Sequence, residues 1–312
     1  MTSEDESTCK FVSSRGILKS CDIFSKTPMS SIRVFDGGYE VGFEKKIKDG
    51  DILYVCNSVI PLLSKHFHLI PAKIILVSGD SDRGCWYDMF QNESEFLQFI
   101  QNPKIIHWFS QNCLYLNCPK LSPIPIGLDY HTLSQKGTEW GPQASPYEQE
   151  TELNNIIKTY AKPWNERIFQ TTIYSNFHFS MKTRLAHERH DAIKKIPSEC
   201  IFYEKEFLKR SESWKKQCDF VFVASPTGNG FDCHRTWEAL VLGCIPIIKA
   251  SHGDPLFKDL PVWIINDWSE VNTVNMIRVL NDFQSSSKTF NMKKITLDYW
   301  VDLIKSKRNL IE

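Results

Sequence analysis

The chain has 312 residues, 42% apolar and 24% charged, an ordinary globular balance with length enough for two domains or one large one. Lys plus Arg and Asp plus Glu number 37 each, so no net charge directs it to nucleic acid or to an anionic membrane face. No run approaches the ~20 apolar residues that span a bilayer, so a chain without a membrane span is expected.

The opening "MTSEDESTCKF" is acidic and polar and lacks the basic and apolar regions of a signal peptide, which predicts a cytoplasmic protein. The ten cysteines are spread through apolar runs such as "DILYVCNSV" rather than set in a dense framework, so free thiols are expected. Cys113 and Cys118 have no second Cys/His pair at zinc spacing. "VFDGGYEVGFE" at 34–44 reads as a glycine-rich loop at a cleft or as a plain hairpin, with Asp36 and Glu40 its polar residues.

Over residues 51–128, "DILYVCN", "KIILVSG", "KIIHWFS" and "KLSPIPIGL" read as strands with helices "PLLSKHF" and "ESEFLQFI" between them. That alternation predicts a parallel sheet with helical crossovers. Near residue 130 the composition turns to Gly, Pro, Ser and Gln, and a polar helix "YEQETELNNIIKTYA" follows, which reads as an interdomain connection. A second strand series then begins with "RIFQTTIYSNF", "SECIFYEK", "CDFVFVAS", "GCIPIIKA" and "PVWIIND", again with helices interleaved. Two tandem α/β units facing a cleft are expected, and Trp263, Trp268 and Trp300 read as packing residues.

Within the second series, "SPTGNGFDCHRTWEALVLGCIPII" at 225–248 is the most informative stretch. It predicts a strand, a glycine turn, a helix with Cys233, Trp237, Leu240 and Val241 on one face, and a second strand. Asp232 reads as the helix N-cap and Gly243 as its stop, which would open the helix's first amides onto the turn as an anion site. Arg235 in the first turn suits a phosphate, and Glu238 three residues on can accept from ribose hydroxyls. The same letters also suit a tight turn beside a surface ion pair. His107, between apolar strand residues, reads as a satisfied core histidine.

This segment resembles the donor-binding segment of exostosin-like glycosyltransferases, glycosyltransferase family 47, in its Ser-Pro, Gly-Asn-Gly, Arg, Glu-Ala and Gly-Cys-Ile-Pro steps. "IHWFSQN" at 106–112, "PIPIGLD" at 123–129 and "LDYWVDLI" at 297–304 resemble related sequences, including those of large viruses. The resemblance implies a GT-B fold of two Rossmann-like domains. Residues 1–145 would bind the acceptor, 146–165 form a linker helix, 166–295 bind the nucleotide sugar, and 296–312 form a helix returning to the first domain. For a viral source the compartment would be the host-cell cytoplasm.

The reaction so implied moves a sugar from a nucleoside diphosphate sugar, UDP-linked by expectation, to a hydroxyl of a glycan or glycoprotein, with inversion. Donor contacts are expected from Ser225, Gly228, Asn229, Gly230, Arg235 and Glu238, and from Asn176, Thr183 and Arg189 after the first strand of the second unit. Ligands of parallel sheets meet the carboxyl ends of strands, which nominates Asp80, Asp82 and Asp129 for the catalytic base and Gln111 and Asn112 for the acceptor. Asp36, in the glycine-rich loop at 34–44, is a further acceptor candidate, and Asp36 and Glu40 are the reserve candidates for the base. Asp82 ranks first because the related sequences often carry an Asn/Ser-Asp pair there. "GDSDRG" at 79–84 lies in the acceptor unit rather than the donor unit, so metal independence and no cofactor are expected. A GT-B-shaped binding module without catalysis is the alternative, and a sugar-nucleotide epimerase a further one.

Overall fold

The structure, a computed structural model, describes residues 6–24, 46–114, 117–177, 184–285 and 288–310; Asp36, Glu40 and Thr183 lie outside them. Helix α1 (Ser14–Lys19) is capped by Ser13, whose hydroxyl accepts from the Gly16 amide. Then come β1 (Ile52–Cys56), α2 (Ile60–His66), β2 (Ile74–Gly79), α3 (Glu93–Ile100), β3 (Ile105–Ser110) and the short β4 (Leu121–Pro123). These strands form a four-stranded parallel sheet in the order β1-β2-β3-β4. β1 and β2 are buried along their whole length, as a sheet covered on both faces requires, and this makes their sequences continuous apolar runs. Tyr54, Val77 and Phe109 point to one face, Leu53, Leu76 and Trp108 to the other.

Helices α4 (His131–Gln135) and α5 (Pro146–Tyr160) lead onward. α5 begins in a capping box between Ser145 and Glu148. It also reaches back to the first unit, because its buried Glu150 accepts from the amides of Lys10 and Phe11 and from the Tyr130 hydroxyl.

The second unit comprises β5 (Ile173–Ser175), α6 (Ala186–Lys195), β6 (Ile201–Tyr203), α7 (Arg210–Gln217), β7 (Phe222–Ala224), α8 (His234–Val241), β8 (Ile245–Lys249), β9 (Trp263–Ile265) and α9 (Thr273–Gln284). Its five strands are parallel in the order β6-β5-β7-β8-β9. The chain therefore steps from β5 to one side and then returns to build β7 on the other. The carboxyl ends of β5 and β7 flank the point where the winding reverses, the place where open α/β sheets leave a crevice for a ligand. Two parallel-sheet α/β units beside a cleft are the GT-B-type architecture expected from the sequence.

Two features close the structure. Arg167 is buried in the second unit and donates to the carbonyls of Lys162, Phe220 and Leu242 at 2.8–3.0 Å, the last at the end of α8. Helix α10 (Leu297–Ser306) returns to the first unit, with Leu297 N–H donating to the Lys10 carbonyl at 2.9 Å and Leu297, Trp300 and Ile304 joining the cluster that holds Tyr54, Val77 and Phe109. Arg308 beyond it donates to the Gly50 carbonyl and pairs with Asp22. All ten cysteines are free, and Trp263, Trp268 and Trp300 are buried.

Under α1, Glu6 is buried and accepts from the Ser13 hydroxyl at 2.6 Å; burial pushes its carboxyl up from 4.5 to about 7. The folded chain thus keeps a proton that the unfolded chain has lost. The stability this brings is present below about pH 4.5 and lost as pH rises through about 7, a change of about 3 kcal/mol. Buried His107, its Nε2 2.9 Å from the Ser122 hydroxyl, is held down to about 4 by burial and gives the opposite slope over the same window. Glu6→Gln keeps the acceptor for Ser13 and isolates the first effect. The variant is expected to gain about 3 kcal/mol on the wild type between pH 4.5 and 7.5 in urea unfolding. Parallel stability curves for the two proteins would refute the buried acid.

Candidate active site

A cleft of about 470 Å³ opens at the winding reversal, lined by Asn176 and Phe177 after β5, by Arg210 and Trp214 of α7, and by His234, Arg235 and Glu238 of α8. Asp82, Asp129 and Trp140 of the first unit line it as well, so the cleft lies between the two units. Helix α8 is positioned by its inner face, with Trp237, Leu240 and Val241 buried, and is stopped by Gly243 at φ 74°. At its base the hydroxyls of Ser225 and Thr236 meet at 2.8 Å, fastening the end of β7 to the helix.

Arg235 is the second residue of α8 and so stands in its first turn, where the sequence placed it, although the helix starts one residue later than expected. It is half-buried, stands 5.8 Å from the Phe177 ring, and donates to the Pro226 carbonyl at 3.2 Å. Burial lowers its pKa from the ordinary arginine value. Glu238, one turn deeper, has its carboxyl pushed up by burial, against the pull of Arg210 and His234. Burial thus disfavours the charged form of both side chains.

Asp232 does not cap α8. Cys233 occupies the N-cap position without a side-chain hydrogen bond, and the Asp232 carboxylate instead accepts from Trp237 Nε1 at 2.9 and 3.0 Å and from the Ile126 amide at 2.7 Å. Two fixed donors at a buried boundary between the units outcompete the helix's own amides. Burial pushes this carboxyl up to about 6.

The glycine turn is built against the first unit. The Asn112 side-chain oxygen accepts from the amides of Phe231 and Asp232 at 3.1 Å, and its Nδ2 donates to the Ser81 carbonyl. A Cβ on Gly230 would lie 2.9 Å from the Asn112 amide, so the close approach needs glycine there. Asn112, nominated for the acceptor, thus clamps the turn, and Gln111 is buried with Oε1 accepting from the Asp80 amide. Of the donor candidates, Asn176, Asn229, Gly230, Arg235 and Glu238 line the cleft. Ser225 and Arg189 are buried behind it; Arg189 donates to the Thr227 carbonyl and lies 3.3 Å from where a Gly228 Cβ would stand.

The three aspartates have separate surroundings. Asp80, at φ 51°, accepts from the hydroxyls of Tyr54 at 2.9 Å and Ser14 at 3.1 Å, tying β1, β2 and α1 together. Asp129 accepts from Arg210 at 3.0 Å and from the Thr132 amide; burial pushes its carboxyl up, but His234, His131 and Arg210 together outweigh that and hold it below the usual range. Asp82 is exposed at the cleft.

Arg210, His234 and Trp140 were not nominated by the sequence. Arg210 follows β6 at the same sheet end, and strand-end reasoning extended to that strand would have included it. His234 stands inside the motif, one residue before Arg235. Among the described residues no group of three or more His, Cys, Asp or Glu is arranged to hold a metal ion.

No family model and no curated protein matches the chain. Among solved structures it is similar to an apo structure of OtsA at 12% identity, covering 85% of this chain and 72% of that one, with a TM-score of 0.37. It is also similar to trehalose-6-phosphate from E. coli bound with UDP-2-fluoro glucose, at 11% identity, 86% and 74% coverage and a TM-score of 0.36. A third likeness is to an alpha-glucosyltransferase in complex with UDP and a 13-mer DNA containing a central A:G mismatch, at 11%, 83% and 74%, and 0.33. None of these likenesses assigns an activity.

Proposed function

We propose that the protein is a glycosyltransferase that moves a sugar from a nucleoside diphosphate sugar, UDP-linked by preference, to a hydroxyl of a glycan or glycoprotein. The observation that carries this reading is the placement of Arg235. It stands in the first turn of α8, at the reversal between β5 and β7, on a cleft whose other wall is a second α/β unit. The diphosphate would lie along Arg235 and the uncapped first-turn amides, which oppose the charge that develops as the leaving group departs. Glu238 would accept from ribose. The acceptor would enter from the side of Asp82, Asp129 and Trp140. Inversion and independence of a metal belong to the same reading, as does its exostosin-like, hexosyl- or pentosyl-transferring subtype.

The test is a panel of UDP- and GDP-sugars followed by thermal unfolding and by nucleotide release. A rise in melting temperature with UDP or GDP, together with slow donor hydrolysis, is the expected result. Protection without turnover for any donor would favour the binding module, and conversion of the sugar nucleotide to an isomer without release would favour the epimerase. No response to any nucleotide would end the assignment.

A further inference from the structure

Sugar transfer with inversion requires a base for the acceptor proton, and we infer that it is Nε2 of His234; this inference rests on the transferase reading above. His234 is the first residue of α8, adjacent to Arg235, and it lines the cleft. Its Nδ1 lies 2.7 Å from the carbonyl oxygen of Gly127. A carbonyl only accepts, so Nδ1 carries the hydrogen and the lone pair of the neutral ring is on Nε2. Among the described residues Nε2 makes no hydrogen bond to the chain.

The anchor is rigid, and it belongs to the other unit. Gly127 follows β4, has φ 65°, and would bring an added Cβ within 2.1 Å of the Val12 carbonyl oxygen. Leu128 N–H donates to that same oxygen at 2.8 Å. The imidazole is therefore pinned across the boundary at which an acceptor held by one unit meets a donor held by the other.

The aspartates are less well placed for the task. Asp80 is engaged by Tyr54 and Ser14, and Asp129 by Arg210 and Thr132. Asp82 reaches the cleft, but no hydrogen bond among the described residues orients its carboxylate. His234, by contrast, has the carboxylates of Asp129, Asp232 and Glu238 near enough to interact with it. Facing the same cluster are Arg210, which acts on Glu238, Arg235 in the next position, and His131, whose ring centre is 6.0 Å away.

In the step, the acceptor oxygen bonds to the anomeric carbon while the bond from that carbon to the diphosphate oxygen breaks. The electron pair leaves with the diphosphate, facing Arg235, and the acceptor's proton passes to Nε2. Water serves the same role in donor hydrolysis, which gives an assay without an identified acceptor.

The experiment uses whichever of UDP-glucose, UDP-N-acetylglucosamine and GDP-mannose the wild type hydrolyses fastest. His234→Asn keeps an N–H for the Gly127 carbonyl but offers no base. It is expected to lower nucleotide release at least about 100-fold. The acid limb of the pH–rate profile should vanish with it, while UDP or GDP raises the variant's melting temperature as it does the wild type's. His234→Ala should recover turnover when imidazole is added, in proportion to the free base present, a rescue that a merely structural histidine would not give. A His234→Asn protein within about threefold of wild type, with its acid limb intact, would overturn the assignment while the transferase reading stood. If the wild type neither consumes a donor nor is protected by a nucleotide, the transferase reading falls, and the base with it.

Discussion

Replacing Arg235 with alanine is expected to lower nucleotide release at saturating donor by at least about tenfold while the protein stays folded. A charge-assisted hydrogen bond to phosphate contributes roughly 1.5 to 3 kcal/mol, and each 1.4 kcal/mol is about one decade in rate. Among the described residues Arg235 is hydrogen-bonded to the Pro226 carbonyl alone, so much of its guanidinium remains for a ligand. Arg235→Lys should restore only part of the rate, since an ammonium cannot grip two phosphate oxygens in parallel. Glu238→Gln should act differently and raise the donor KM, because a ribose contact binds ground and transition states alike. A folded Arg235→Ala protein with full turnover would remove the diphosphate from this helix.

The second large effect is on stability. Arg167→Ala is expected to destabilise the protein by about 3 to 5 kcal/mol in urea unfolding, because carbonyls of Phe220 and Leu242 lose their buried donor and the guanidinium leaves a void. Arg167→Lys should recover a minor share, as one ammonium cannot reach carbonyls that the fork spans. Leu242 ends the helix that carries Arg235, so nucleotide protection should weaken along with stability. A variant within about 1 kcal/mol of wild type would contradict the role given to the arginine.

Strands β1 and β2 were legible from sequence because both their faces are covered. Ile52–Cys56 and Ile74–Gly79 are apolar almost throughout, and such runs are ambiguous only in length. Arg235 and Glu238 were legible because residues three apart share a helix face whether the helix is capped at Asp232 or at Cys233. Helix α1 was not, since six residues make too short a period and its definition depends on Ser13. Asp232 was misread because its donors, Ile126 and Trp237, include one 106 residues away, and local capping rules see only neighbours. The same blindness hid Arg210, whose partner Asp129 is 81 residues distant, and it made Asn112 look like a ligand contact when the turn of the other unit takes its amide.

The return of α10 to the first unit has a bearing on biosynthesis. Leu297, Trp300 and Ile304 join α1 and the cluster that holds Tyr54, Val77 and Phe109 only after every strand of the second sheet has left the ribosome. Folding as synthesis proceeds usually favours the unit made first. Here the unit made first waits longest for its last covering helix, and the second unit, complete by Gln284, can be native before it. During that interval the cluster around α1 and Tyr54 lacks three of its apolar side chains, and exposed apolar surface of that kind is what chaperones bind.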